Sequence, residues 1–143
     1  ITAIASMLAF LKWNWDPSKI FMGDCGSNYL GGLIFFCILN KGEYLIDFKT
    51  IFIILPILLD CSWCIIRRFL NKENIFIAHK KHLYQRLNQN GISHSNVSLI
   101  YIILCLANLL ISFQNNLNIF IFLSVLEILF LIYLDKSFAK KFI

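Results

Sequence analysis

Charge is scarce in this sequence. Only 15% of its 143 residues are Asp, Glu, Lys or Arg, against roughly 25% in an average soluble domain. Turn formers are scarce too, with 6 Gly and 2 Pro. That argues against a small secreted disulfide framework, which would be rich in glycine and turns. Five Cys is an odd number, and Cys37, Cys61, Cys64 and Cys105 lie in apolar runs, where they read as small apolar helix residues. No internal repeat and no low-complexity segment occurs. The chain also lacks an initiator Met and a charged n-region of the kind that opens a cleavable signal, so it reads as a fragment whose upstream part is missing.

What fills the sequence instead is apolar. Hydrophobic residues make up 59%, with 14 Phe, 5 Tyr and 3 Trp, and the mean hydropathy is +0.72. A soluble domain of this size leaves too much surface exposed to hide that content, and disorder requires the opposite composition. The expected fold class is therefore all-α, a polytopic membrane helix bundle forming one membrane domain over 1–143.

Apolar runs cover Ile1–Leu11, Asn28–Leu39, Thr50–Ile66, Val97–Phe113 and Leu117–Leu134. A bilayer core of about 30 Å needs roughly 17–25 apolar residues per helix. The runs predict about four transmembrane helices plus the end of a fifth, the C-terminal half of a larger fold. Loops 12–27 and 67–96 and the tail hold eleven of the 13 Lys and Arg; Lys41 and Lys49 are on the other side, offset by Glu43 and Asp47. By the positive-inside rule those two loops and the C-terminus are cytoplasmic. The net charge of +5 then has a topological origin, and nucleic acid is not expected as a partner.

Two cytoplasmic loops carry the chemistry. In the first, Gly23 and Gly26 flank Asp24 just before a membrane helix, in Pro17-Ser18-Lys19-Ile20-Phe21-Met22-Gly23-Asp24-Cys25-Gly26-Ser27. Glycines allow positive φ and close backbone approach, and a helix start suits phosphate. An Asp there would repel phosphate unless a divalent cation lay between them. The competing reading is a Gly-Asp turn with Ser27 capping the helix. The second loop, Ala78-His79-Lys80-Lys81-His82-Leu83-Tyr84-Gln85-Arg86-Leu87, packs two His and three cations together. A helix there would place His79, His82 and Arg86 on one face, able to clamp a diphosphate or a nucleotide; the alternative is a basic segment held by anionic lipid. Asp60, inside an apolar run, reads equally as functional or as a structural partner, and Glu127 as a helix–helix contact. Capping by Ser or Asn is expected around His94. Cys61-x2-Cys64 followed by His79-x2-His82 imitates a zinc finger, but its Cys lie in an apolar run and its His in a polar loop, so neither zinc nor a redox pair is expected.

Together these loops resemble the bacterial polyprenyl-phosphate sugar-1-phosphate transferases, the family of undecaprenyl-phosphate N-acetylglucosamine-1-phosphate transferase and phospho-N-acetylmuramoyl-pentapeptide transferase. Residues 17–27 are similar to that family's P-A-K-x-F-M-G-D-x-G-S loop, with Leu30-Gly31 in place. Pro56, Asp60, Arg67 and Arg68 resemble its next cytoplasm-facing helix end, and 79–87 the histidine loop of the O-antigen branch, A-H-x-x-H-x-Y-Q-R. The resemblance covers roughly 12–100.

The resemblance implies transfer of N-acetylhexosamine-1-phosphate from a UDP-N-acetylhexosamine to undecaprenyl phosphate, releasing UMP. This would be the first membrane step of a cell-surface glycan, at the bacterial inner membrane and among membrane lipid. It implies Mg²⁺, with Mn²⁺ as a substitute, held by Asp24, and a catalytic pair of Asp24 and His82. Lys19, Gly23, Gly26, Ser27, His79, Lys80, Lys81 and Arg86 would bind the diphosphate or nucleotide. A homodimer is compatible with it. Tyr84 and Gln85 replace the last two His of the family's His-x-His-His signature, so those roles do not transfer. The family's adjacent Asp pair is expected upstream of Ile1, so this chain would hold half a site and be inactive alone. The alternatives are a secondary transporter fragment using Asp60 and Glu127 and a non-catalytic lipid-binding subunit.

Overall fold

A computed structural model describes residues 2–39, 48–114 and 116–142. Among these the protein is all-α: α1 (Thr2–Asn14), α2 (Gly23–Leu39), α3 (Phe48–Ile53), α4 (Leu55–Leu70), α5 (Leu83–Gln89), α6 (His94–Ser112) and α7 (Leu117–Ser137). Lys41, Glu43 and Asp47, used in the charge argument, lie outside the described residues. The chain divides into two compact units, Ile1–Phe48 and Lys49–Ile143.

In the first unit, the run expected at Asn28–Leu39 begins earlier, at Gly23. Gly23 has φ +65°, a left-handed conformation that a Cβ would penalise. Asp24 follows in the first turn, where a carboxylate meets the positive end of the helix dipole. The connection folds back onto the end of α1: the N–H groups of Lys19 and Ile20 donate to the Trp13 carbonyl at 2.9 and 3.3 Å, and Asn14 Nδ2 donates to the Ile20 carbonyl at 2.8 Å.

In the second unit, α6 and α7 are long and apolar enough to cross a membrane. At 19 and 21 residues they span about 28 and 31 Å at about 1.5 Å per residue. At 17 and 16 residues, α2 and α4 are shorter. The run expected as one helix over Thr50–Ile66 breaks at Ile54, leaving α3 and α4. Pro56 is the cause, because it has no N–H to give the carbonyl four residues back. That carbonyl, on Phe52, accepts instead from buried Asn108 Nδ2 of α6 at 3.0 Å. Phe52 also meets Phe120 of α7 edge-on, ring centroids 4.7 Å apart.

The core lies at the α5 end of this unit. Leu83 and Leu87 of α5 pack with Val97 of α6 and with Leu131 and Leu134 of α7. Full burial of such side chains contributes about 1.5–3 kcal/mol each, enough to fix a helix of only seven residues that would not form alone. Ser93 caps α6 by accepting from Asn96 N, as the sequence predicts near His94.

Candidate functional site

Asp24 is exposed in the first turn of α2, with Lys19 exposed on the preceding loop. Lys19 Nζ lies 5.6 Å from the centre of the Trp13 ring. A Cβ at Gly26 would collide with the Met22 side chain folded over it, so a side chain there would force Met22 to move. Ser27 is not the helix cap. The helix starts before it, and its hydroxyl donates back to the Asp24 carbonyl at 3.1 Å.

The histidine loop belongs to the second unit and is described by itself. It is not one continuous helix. α5 starts at Leu83, His82 is its extended N-cap residue, and His79 precedes it. The shared helical face expected for His79, His82 and Arg86 therefore does not form. Asp60 of α4 explains the arrangement. Its buried carboxylate accepts from the backbone N–H of Leu83 at 2.7 Å and of Tyr84 at 3.3 Å, and from the Tyr101 hydroxyl at 2.8 Å. A charge from another helix thus caps α5 and docks the loop onto α4. His82 N–H adds a bond to Gln85 Oε1 at 3.3 Å.

The loop's cations are mostly partnered. Arg68 is buried, donating to Glu73 and to the carbonyls of Asn74, Ile75 and Ile77. Lys81 Nζ binds Glu73 at 2.7 Å. The hydrogen bond from Lys81, with a further one from Arg68, holds the Glu73 carboxyl below its ordinary value. Arg86, expected among the diphosphate- or nucleotide-binding residues, is buried, bonded to Asp135 of α7 and to the Lys140 carbonyl at 2.8 Å. It joins α5 to α7. Arg67 also pairs with Asp135, and the Phe142 ring lies 5.2 Å from the Arg67 and Arg86 guanidinium groups and 5.4 Å from Lys81 Nζ. Lys80 is exposed.

His79 and His82 are half-buried neighbours, with ring centroids 4.9 Å apart. Burial, with Arg68 and His82 adding to it, pushes the His79 imidazole below its ordinary value and favours the neutral ring. Burial first, then Asp60, raises the Tyr84 phenol. Buried Cys64 of α4 brings its sulfur beside both imidazoles, the three candidate ligand atoms lying within 4.8 Å of one another. Sequence reasoning set Cys64 apart from these His because it treated the apolar run as uniformly deep. It also missed Asp135, whose tail position showed no partner. Glu127 is buried on α7.

Residues 1–41 match the family model for Glycosyl transferase family 4. The chain is 41% identical over 108 residues to the probable undecaprenyl-phosphate N-acetylglucosaminyl 1-phosphate transferase of Bacillus subtilis, covering 72% of this chain and 30% of that protein. It is 35% identical over 85 residues to the phospho-N-acetylmuramoyl-pentapeptide-transferase of Chlamydia muridarum, covering 57% and 24%. Over 45 residues it is 49% identical to the protein of that name from an Arthrobacter species, covering 31% and 12%. The chain thus spans less than a third of the length of each of these relatives. No solved structure matches it. The chain is thus similar to glycosyl transferase family 4 over its first 41 residues and to these transferases over parts of their length, and its all-helical architecture is consistent with that likeness.

Proposed function

We propose that the chain forms part of a membrane enzyme that moves N-acetylhexosamine-1-phosphate from a UDP-sugar to undecaprenyl phosphate, releasing UMP. The observation that carries this reading is the 41% identity to the Bacillus transferase over 72% of the chain. The topology drawn from the charge pattern puts both loops on the cytoplasmic side of the inner membrane, where a nucleotide sugar would arrive.

The residues suit the proposed roles. Asp24 offers hard carboxylate oxygen, exposed and at a helix start, and Mg²⁺ takes one or two carboxylates alongside phosphate oxygens. Bound there, the ion would supply charge neutralisation for the diphosphate. Lys19 and Lys80, both exposed, would add positive field. His82, placed by the Asp60-capped helix, would donate to a phosphate or nucleotide oxygen. The same commitment of Asp60 to α5 weakens the transporter reading, which needs that carboxylate on a pathway. A cell-surface glycan, O-antigen-like, is the product class to which the histidine loop points.

The test is UMP release against Mg²⁺ concentration, using the protein expressed from its complete reading frame. Asp24→Asn is expected to slow release by about a thousandfold. That corresponds to about 4 kcal/mol, the scale for unit charges about 4 Å apart at an effective dielectric near 20. His82→Ala is expected to cost about ten- to a hundredfold, because it removes one contact. Normal turnover and normal Mg²⁺ dependence in Asp24→Asn would refute the assignment.

A further inference from the structure

We propose that Cys64, His79 and His82 form a binding site for a thiophilic divalent cation of the Zn²⁺ class. The site goes beyond the transfer reaction and does not depend on it.

The donor set is the first argument. One thiol and two imidazoles converge from α4 and the histidine loop, with ligand atoms within 4.8 Å of one another. In a tetrahedral zinc site, bonds of about 2.0–2.3 Å leave ligand atoms roughly 3.5 Å apart. Closure therefore needs about 1 Å of movement, within reach of the half-buried His79 side chain on its loop. Sulfur and nitrogen donors select Zn²⁺, Co²⁺ or Cd²⁺ over Mg²⁺, which takes oxygen. Three protein ligands leave a fourth position for water.

The second argument is an unsatisfied group. His82 Nδ1 is buried and has no hydrogen-bond partner. Leaving such an atom unpaired is unfavourable, and a metal bond would satisfy it. The electrostatics also agree. Asp60 Oδ1 lies 3.9 Å from His82 Nδ1 and offsets a cation. Arg68 and Lys81, the opposing charges, are tied to Glu73 and, for Arg68, to loop carbonyls. On binding, the sulfur–metal bond forms and the Cys64 thiol proton passes to solvent. Cys61, one turn back on α4, is not in the cluster.

Cobalt(II) is the probe. The complete protein, purified metal-free in detergent, is titrated with Co²⁺ without substrate. One equivalent is expected to give sulfur-to-cobalt charge-transfer absorption in the near ultraviolet and the strong visible bands of four-coordinate cobalt. Zn²⁺ should bleach both, and Mg²⁺ neither. Cys64→Ser should abolish the charge-transfer absorption, Cys61→Ser should keep it, and His79→Ala or His82→Ala should weaken binding about tenfold or more. No charge transfer in the natural sequence, or its survival in Cys64→Ser, overturns the site. If Cys64→Ser does not fold, the double variant His79→Ala/His82→Ala decides: it should lose the charge-transfer absorption, and its survival there overturns the proposal.

Discussion

Removing the Asp60 carboxylate should release the histidine loop while leaving the long helices in place. Asp60→Ala deprives three donors of their acceptor: Leu83 N–H, Tyr84 N–H and the Tyr101 hydroxyl. A buried donor left unsatisfied costs about 1–3 kcal/mol, and loss of a helix cap alone about 0.5–2 kcal/mol. The Tyr84 side chain is exposed, so water can reach that end and the sum falls below three full penalties. About 3–5 kcal/mol is the resulting local cost. Since about 1.4 kcal/mol is tenfold in an equilibrium, amide protection of Leu83 and Tyr84 should drop at least about a hundredfold. Hydrogen exchange read by mass spectrometry on peptides covering 78–90 would show it, with amides of α6 and α7 as the internal control. Tyr101→Phe should cost only about 1 kcal/mol, and combined with Asp60→Ala it should add less than its separate effect, because both act on one bond. Unchanged protection at Leu83 and Tyr84 in Asp60→Ala would refute the capping argument.

Asp135→Ala should lower the detergent melting temperature sharply, by the equivalent of about 3–5 kcal/mol, because it strands buried Arg86 without its charge partner; melting followed by circular dichroism checks this. Glu73, with its folded carboxyl lowered from an ordinary 4.5, contributes to loop stability above that value and loses the contribution as pH falls through the folded value. Proteolysis of the 71–81 segment should therefore accelerate on acidification below about pH 4.5, and Glu73→Gln should show fast cleavage already at pH 7. Single Cys reporters at exposed Phe21 and Phe76, in a Cys-free background, should resist an impermeant thiol reagent in intact cells. Labelling of either from outside would reverse the assigned topology.

Much of the helical order is visible in the sequence, because an apolar run must end where charge or a turn begins. The ends are less legible. α2 begins at Gly23, ahead of its apolar run, where the left-handed backbone of that glycine rather than hydropathy marks the start. The break at Ile54 was written in Pro56, but hydropathy reads across a proline without registering the missing N–H. The site shows the same division. Gly23-Asp24 and the histidine loop stand out as residue types in a local pattern. Asp60 as the cap of α5, and Asp135 as the partner of Arg67 and Arg86, do not, since each acts on a segment remote in the chain. Cys64 was set aside on the average polarity of its run, although its place near the Arg67-Arg68 end decides its surroundings.

The carbonyl that Pro56 leaves without a donor bears on how the protein is made. Hydrocarbon offers such a group no water, so the α3–α4 break is tolerable in lipid only once another helix supplies the proton. That helix is α6, which leaves the ribosome after the break does. Until Asn108 arrives, the Phe52 carbonyl must keep a water or an insertion-machinery partner, which holds α3 and α4 near the aqueous boundary. Membrane integration of this region is then a paired event rather than a series of independent insertions. Asn108→Leu, though more apolar, would lower the yield of assembled protein more than its hydropathy suggests.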